Sequence, residues 1–330
     1  MPNRDGYVEL TEDEIATAIV ETYEKLKNTG GGKVASYIPE LKKVSPKLYA
    51  ISICTVDGVI FSIGDDNTDV AIESVSKVFT LALAIKKKST DFIRSKIGST
   101  HSPLPFNSIN AANKSETHTL NPFVNAGAMA TTSILYETNR QRYIKKLFDN
   151  MSDFAGRKIK MSPSVYKSES ATNHQNKSLA YLLKSYNRFY GDVDKSVDAY
   201  TAQCSALVNS KDLSVMAATF ASGGTNPITH KKLLTPPNVE YILREMACNG
   251  LYEKTGKWFD EIGIPIKSGV SGSLLIVVPG VMGIGIISPP LSEYGNSVKG
   301  LKTAKMLSDK LDLTRYYSLR SKCKQMKIKK

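Results

Sequence analysis

Cysteine and histidine are scarce in this chain, four of each in 330 residues, and neither is clustered. Cys54, Cys204, Cys248 and Cys323 lie far apart with no Cys-x-x-Cys pair, and the histidines are equally scattered. No zinc-type ligand spacing exists, so neither a catalytic metal nor another cofactor is expected. So few cysteines also point to a reducing compartment. The opening segment MPNRDGYVELTEDE has no apolar stretch of the export type and carries acids unlike a transit peptide, so a cytoplasmic protein is expected. Internal repeats and low-complexity linkers are absent. An uninterrupted apolar span is absent too. No residue from Ser268 to Ser292 is charged, yet Pro279-Gly280, Gly283, Gly285 and Pro289-Pro290 divide that run into strand-length pieces. A buried hairpin turning at Pro279-Gly280 is expected there, and no membrane span.

What remains is an ordinary globular composition, 41% hydrophobic and 23% charged, long enough for one large domain or two intimately packed halves. The net charge of +13 raises the question of an anionic partner. The lysines are scattered, however, and aromatics do not interleave with them as in a stacking platform, so no nucleic acid is expected. Lys86-Lys87-Lys88 and the tail KCKQMKIKK read as solvated surface.

Thr11 with Glu14 forms a capping box before EIATAIVETYEKLKN, a helix that Gly30-Gly31-Gly32 should end. Two strand-like runs, LYAISICTV and VIFSIG, follow around Asp57-Gly58, a hairpin signal. Residues 100–250 read as mostly helical, strands return at 268–288, and SVKGLKTAKMLSDKLDL closes the chain as a helix. The terminal segments must therefore meet. This predicts an α+β fold whose 47–64 and 268–288 hairpins share one antiparallel sheet, flanked by the N- and C-terminal helices. The sheet subdomain takes about 1–70 and 260–330 and a helical subdomain about 71–259, in a single domain of 1–330. A cleft is expected at their junction.

The segment IESVSKVFTLALAI lies at that junction, with Ser74 and Lys77 on one helical face and Ser76 pointing elsewhere. Free N–H groups at a helix start can hold an anion, so serine, lysine and oxyanion hole would make an acyl-transfer nucleophile. Ser-x-x-Lys is a cheap pattern, expected roughly once by chance in a chain this long. It recurs at Ser164/Lys167 and Ser321/Lys324, but only the first copy opens an apolar helix. A second signal is Lys-[Ser/Thr]-Gly, which accompanies Ser-x-x-Lys in penicillin-recognising enzymes. Lys254-Thr255-Gly256 precedes KWFDEIG, which does not read as a strand. Lys267-Ser268-Gly269 begins the strand-like SGVSGSLLIVV and is the better partner.

Lys267-Ser268-Gly269-Val270, NPFVNAGAMA at 121–130, YTAQCS at 200–205 and SPPLSEYGNSVKG at 288–300 together resemble the serine-dependent glutaminases. The resemblance runs from about residue 12 to 312. It implies a β-lactamase/transpeptidase-like fold, hydrolysis of free L-glutamine to L-glutamate and ammonia, and a homodimer or homotetramer. It also implies that Ser74 is the nucleophile and Lys77 its partner, with substrate contacts from Asn125, Glu169, Asn176, Tyr200, Tyr252 and the backbone of Val270. The general base is left open between Lys77 and Tyr200, and Lys267 is either a proton carrier or a structural charge. Glu169 suits the substrate ammonium, and the asparagines and tyrosines supply donors and orientation. Departures are Ser271-Gly272-Ser273 after Val270, Gln175 where arginine is usual, His101-Ser102-Pro103 ahead of FNS, and Glu73 where glutamine is common. The ankyrin repeats that follow this domain in some animal members have no counterpart here. The rival readings are a serine β-lactamase or transpeptidase, against which no Ser-Asp-Asn triplet occurs, and a catalytically dead binding module.

Overall fold

The computed structural model describes residues 10–314, so the Ser321/Lys324 pair, Cys323 and the basic tail lie outside the described residues. Thr11 caps the first helix, Glu12–Leu26: its hydroxyl accepts from the Glu14 N–H at 3.2 Å, and the Glu14 carboxylate accepts from the Thr11 N–H at 2.8 Å. That helix ends at Leu26, short of the glycines. Gly32 instead brings the chain, at φ +82°, against Leu291, whose carbonyl oxygen would lie 2.6 Å from any Cβ there.

The main sheet uses β1 (Ala50–Thr55), β2 (Ile60–Gly64), β6 (Ile266–Ser268), β7 (Ser273–Val278) and β8 (Met282–Ile287). Its order is β2-β1-β8-β7-β6, antiparallel throughout, with β1 paired to β8 from Ala50↔Ile287 to Thr55↔Met282. The two hairpins thus share one sheet, as the pattern predicted. Alternation sorts the strand residues by face. Ile51, Ile53, Leu274, Ile276, Ile284 and Ile286 pack beneath Ile15 and Ile19 of the first helix and Leu301 and Leu307 of the last, Val298–Leu311.

The opposite face carries small residues: Ala50, Ser52 and Cys54 on β1, Gly283 and Gly285 on β8. The helix Ser210–Ala221 lies on them, with Ser52 and Ser210 hydroxyls 2.8 Å apart and Cys54 against Val215 and Ala218. A Cβ at Gly283 would stand 2.1 Å from the Ala218 nitrogen and one at Gly285 2.2 Å from the Ser210 carbonyl oxygen. These glycines do not divide the apolar run; they let a helix approach the sheet at backbone distance. A helix that falls by sequence within the 71–259 block is therefore packed on the sheet itself, and Leu275, Val277 and Ile287 share one core with the helices around it.

A second sheet escaped the sequence pattern because its strands are only two or three residues long. β3 (Val70–Ala71) and β4 (Lys160–Met161) both pair with β5 (Ala206–Val208). It ties the backbone entering the Ser74 region to the chain leaving the helix Val193–Cys204, and the Ile72 N–H donates to the Ala206 carbonyl at 2.7 Å. Among the described residues no helix is long and apolar enough to cross a membrane.

The close helix–sheet approach has a measurable signature. Gly285→Ala should lower the unfolding free energy by about 2 kcal/mol or more, because an extra methyl must displace backbone. Gly280→Ala in the β7–β8 turn, with open space around it but φ +79°, should cost only about 1 kcal/mol of backbone strain. Urea unfolding of the two variants checks the contrast; equal costs would refute the packing account.

Candidate active site

Ser74 belongs to a 3₁₀ turn, Glu73–Val75, that leads into the helix Ser76–Lys87, rather than to that helix itself. Three-residue periodicity in such a turn still aligns Ser74 with Lys77. The Ser74 N–H lies just ahead of that helix, where no carbonyl within the helix can accept it. Ser76 points elsewhere, its hydroxyl donating to the Glu73 carbonyl at 2.7 Å. Glu73 itself has φ +50°, unusual for a non-glycine residue.

Lys77 is 1% exposed. Its Nζ donates to Asn125 Oδ1 at 2.7 Å and to the Phe123 carbonyl at 3.1 Å. The NPFVNAG sequence is built for this. Asn121 Oδ1 accepts from the N–H groups of Phe123 and Val124, bending the chain into the helix Asn125–Ile134. At Gly127 a Cβ would meet the Asn121 carbonyl oxygen at 1.9 Å. Asn125 Oδ1 also accepts from the Tyr200 hydroxyl at 3.3 Å, and its Nδ2 donates to Asn176 Oδ1 at 2.9 Å.

β6 forms the other wall. Lys267 is fully buried, donating to the Ser268 carbonyl at 2.7 Å and the Gly250 carbonyl at 3.2 Å, with its Nζ 4.5 Å from the Tyr252 ring centroid. The Tyr252 hydroxyl donates to the same Ser268 carbonyl at 3.2 Å. Gly269 explains the triplet's last position: a Cβ there would lie 2.8 Å from the Ile72 carbonyl oxygen and 3.4 Å from Glu73 Cβ. The strand edge and the serine-bearing turn meet backbone to backbone. Val270, 4% exposed, follows in the turn and packs with Ala35, Ala71 and Leu291.

Burial dominates the electrostatics. It pushes the Lys77 ammonium down to about 8, against the opposing pull of Cys204, Glu73 and Glu169. Lys267 falls well below its ordinary value through burial and the like charge of Lys77. Burial raises Tyr200 well above 10 and Tyr252 to about 12. Glu169, on the helix Pro163–Thr172, is raised to about 8 by burial, with Lys77 and Ser205 drawing it back. Burial and the neighbouring Glu169 also raise Glu73 well above its ordinary value, against the pull of Lys77.

Lys77, Asn125, Glu169, Asn176, Tyr200, Tyr252 and Lys267 belong to one hydrogen-bonded and electrostatically linked cluster, which Ser74 joins through the Tyr252 hydroxyl, with Val270 at its edge. The other motif copies do not join it. Lys254-Thr255-Gly256 starts the helix Thr255–Ile262 and Lys254 stacks on Tyr294 at 3.9 Å, while Ser164 and Lys167 lie on the Glu169 helix without reaching Ser74. Sequence reading passed over Tyr37 and Cys204. Tyr37 is 57% exposed as a residue, yet burial of its hydroxyl and the nearby Glu73, Tyr252 and Glu169 raise it well above 10; no spacing announces it. The departures are accommodated: Gln175 and Asn107 exchange hydrogen bonds at 3.0 and 3.1 Å, and the Ser271 and Ser273 hydroxyls pair at 3.0 Å beside the Ile72 carbonyl.

Comparison with known proteins bears on this cluster. A family model described as Glutaminase matches residues 32–316. The chain belongs to the glutaminase family. It is 42% identical over 299 residues to the Glutaminase of Mycobacterium ulcerans (strain Agy99), spanning 91% of this chain and 93% of that one. It is also 42% identical over 302 residues to Glutaminase 1 of Escherichia coli (strain K12), spanning 92% and 97%. The solved probable glutaminase ybaS superposes with a TM-score of 0.91 at 42% identity, over 92% of this chain and 99% of that one. A probable glutaminase from Bacillus subtilis, complexed with 6-diazo-5-oxo-L-norleucine, superposes with a TM-score of 0.81 at 26% identity, over 94% and 98%. The fold is the β-lactamase-like fold of the glutaminases, and the protein is a hydrolase of glutamine.

In this glutaminase the contact at Gly269 sets the distance between strand edge and nucleophile turn. Gly269→Ala should lower kcat on the order of 10²-fold by displacing one against the other, with a folded protein by circular dichroism. Full activity in that variant would refute the close-contact role.

Proposed function

We propose that this glutaminase works through an acyl-enzyme on Ser74, with Lys77 as general base. The supporting observation is a buried lysine one turn from the serine, held by neutral acceptors and by no carboxylate. A base must be free of its proton near neutrality. Burial moves Lys77 toward that state, whereas it drives the Tyr200 hydroxyl away from ionisation. Ser74 Oγ attacks the substrate's side-chain amide carbon as its proton passes to Lys77 Nζ. The N–H groups of Ser74 and Val270 hold the developing oxyanion. Collapse breaks the C–N bond, Lys77 returns the proton to the departing nitrogen, and ammonia leaves. Water, deprotonated by the same amine, then cleaves the γ-glutamyl ester to glutamate and free serine.

Lys267 fits a positioning role. Both its hydrogen bonds go to carbonyls, and they brace β6 and the Tyr252 turn. Glu169 receives the substrate ammonium, which offsets the cost of its burial. Asn125, Asn176, Tyr200 and Tyr252 orient the remaining polar atoms, and Tyr37 covers the mouth. No catalytic metal enters the scheme. Family resemblance supports a homodimer or homotetramer, and exposed Tyr181, Ile109 and Leu104 on the helical side offer apolar surface for it. The sparse cysteines, of which Cys54, Cys204 and Cys248 are free, support a cytoplasmic setting.

Ser74→Ala should lose roughly 10⁴-fold or more in kcat, while Ser76→Ala keeps partial activity; ammonia release measures both, with penicillin turnover as the control for a β-lactamase. Comparable loss in the two variants would overturn the nucleophile. Rates on N-acetylglutamine should be far below those on L-glutamine in the wild type, and similar rates would remove Glu169 from amine recognition. Since Lys77 must be neutral and Glu169 ionised, and both stand at about 8, kcat/KM should climb with pH up to about 8, falling at least roughly tenfold per unit below it. A flat profile from pH 6 to 8 would exclude Lys77 as the base.

A further inference from the structure

One substrate ammonium needs one carboxylate, and the cleft holds two. Glu73 and Glu169 are 3% and 9% exposed. One oxygen of each, Glu73 Oε1 and Glu169 Oε2, is buried without a hydrogen-bond partner among the described residues. Lys77 gives its hydrogen bonds to Asn125 and Phe123, not to either acid. The Cys204 thiol, 2% exposed, lies beside them, with the Ser76 hydroxyl at 3.8 Å. The sulfur and one oxygen from each carboxyl group all fall within 4.8 Å of one another.

Three groups that bind metals when deprotonated converge there from three elements: the Glu73 turn, the Glu169 helix and the end of the Tyr200 helix. An ammonium satisfies such a set poorly, because it brings one positive charge and a thiol is a weak acceptor. A borderline-soft dication suits it better. Thiolate and carboxylate are both zinc ligands, with bonds of about 2.3 and 2.0–2.2 Å, and ligand atoms around such an ion sit roughly 3.5 Å apart. Closing the set from 4.8 Å asks for side-chain rotations of about an ångström. Glu73 is decisive, since its buried carboxyl group adds a second anionic ligand, which a neutral amide at that position would not supply.

We propose that Glu73, Glu169 and Cys204 form a binding site for a zinc-class divalent ion at the floor of the cleft, where the ion blocks the amine position rather than serving catalysis. The blocking rests on Glu169 as the ammonium's partner; the metal site does not. Lys77, a like charge for the ion, is anchored to Asn125 and Phe123 and leaves the three ligands free.

Cobalt(II) absorption and zinc calorimetry on the full chain, after chelator treatment, test this in wild type, Glu73→Gln and Cys204→Ser, each checked for folding by melting. The expected result is one ion per chain and a near-ultraviolet thiolate-to-cobalt charge-transfer band that Cys204→Ser abolishes. Zinc affinity should fall roughly tenfold or more in Glu73→Gln. No such band in the wild type, or equal zinc affinity in wild type and Glu73→Gln, would overturn the site. Zinc should raise the KM for L-glutamine; zinc binding with an unchanged KM keeps the metal site and overturns the assignment of Glu169 to the amine.

Discussion

Everything in the cleft depends on how closely two pieces of backbone approach each other around residues 72–74. On one side the Ile72 N–H is bonded to Ala206, which fixes the turn to the helical layer. On the other, β6 comes so near that position 269 has no room for a side chain. The sheet keeps that distance because the helix Ser210–Ala221 seats on a stripe of alanine, serine, cysteine and glycine instead of on branched side chains. Sub-ångström placement of a nucleophile is thus set by residues chosen for being small.

The cleft's electrostatics follow from dryness more than from ion pairing. Among the described residues Lys77 and Lys267 have no salt-bridge partner, and each is satisfied by carbonyl or amide oxygens. Such an environment disfavours the ammonium form and readies an amine to accept a proton. The carboxyl groups are in the complementary situation, awaiting a cation that the fold does not supply. The protein buries ionisable groups at a cost to its own stability, in places where an incoming zwitterion can draw out their charge.

Much of the architecture was legible because it rests on strong local signals. The strand-like runs around Asp57-Gly58, the uncharged run split at Pro279-Gly280 and the capping box at Thr11 all encode local structure. Ser74, Lys77 and Lys267 were legible as motifs whose order and apolar context agreed. The three-residue strands were not, since two or three residues cannot display a period. Gly283 and Gly285 were misread as interruptions because a missing Cβ looks the same in sequence whether it breaks a strand or admits a helix. Tyr37 and Cys204 enter the site through tertiary folding alone, and Glu73 showed only as a departure from a habit of relatives.

The pairing of β1 with β8 joins Ala50 to Ile287, the centre of the sheet built from opposite ends of the chain. During synthesis, at about 5–20 residues per second, β1 would wait roughly 10–45 s for its neighbour to emerge. Through that interval the hairpin of β1 and β2 offers an apolar, unpaired edge carrying Ile51 and Ile53, the kind of edge that invites association with other chains. The same long-range closure makes for slow folding in isolation. The molecule's most vulnerable moment therefore falls before it has an active site at all, and it is written in the topology of the sheet.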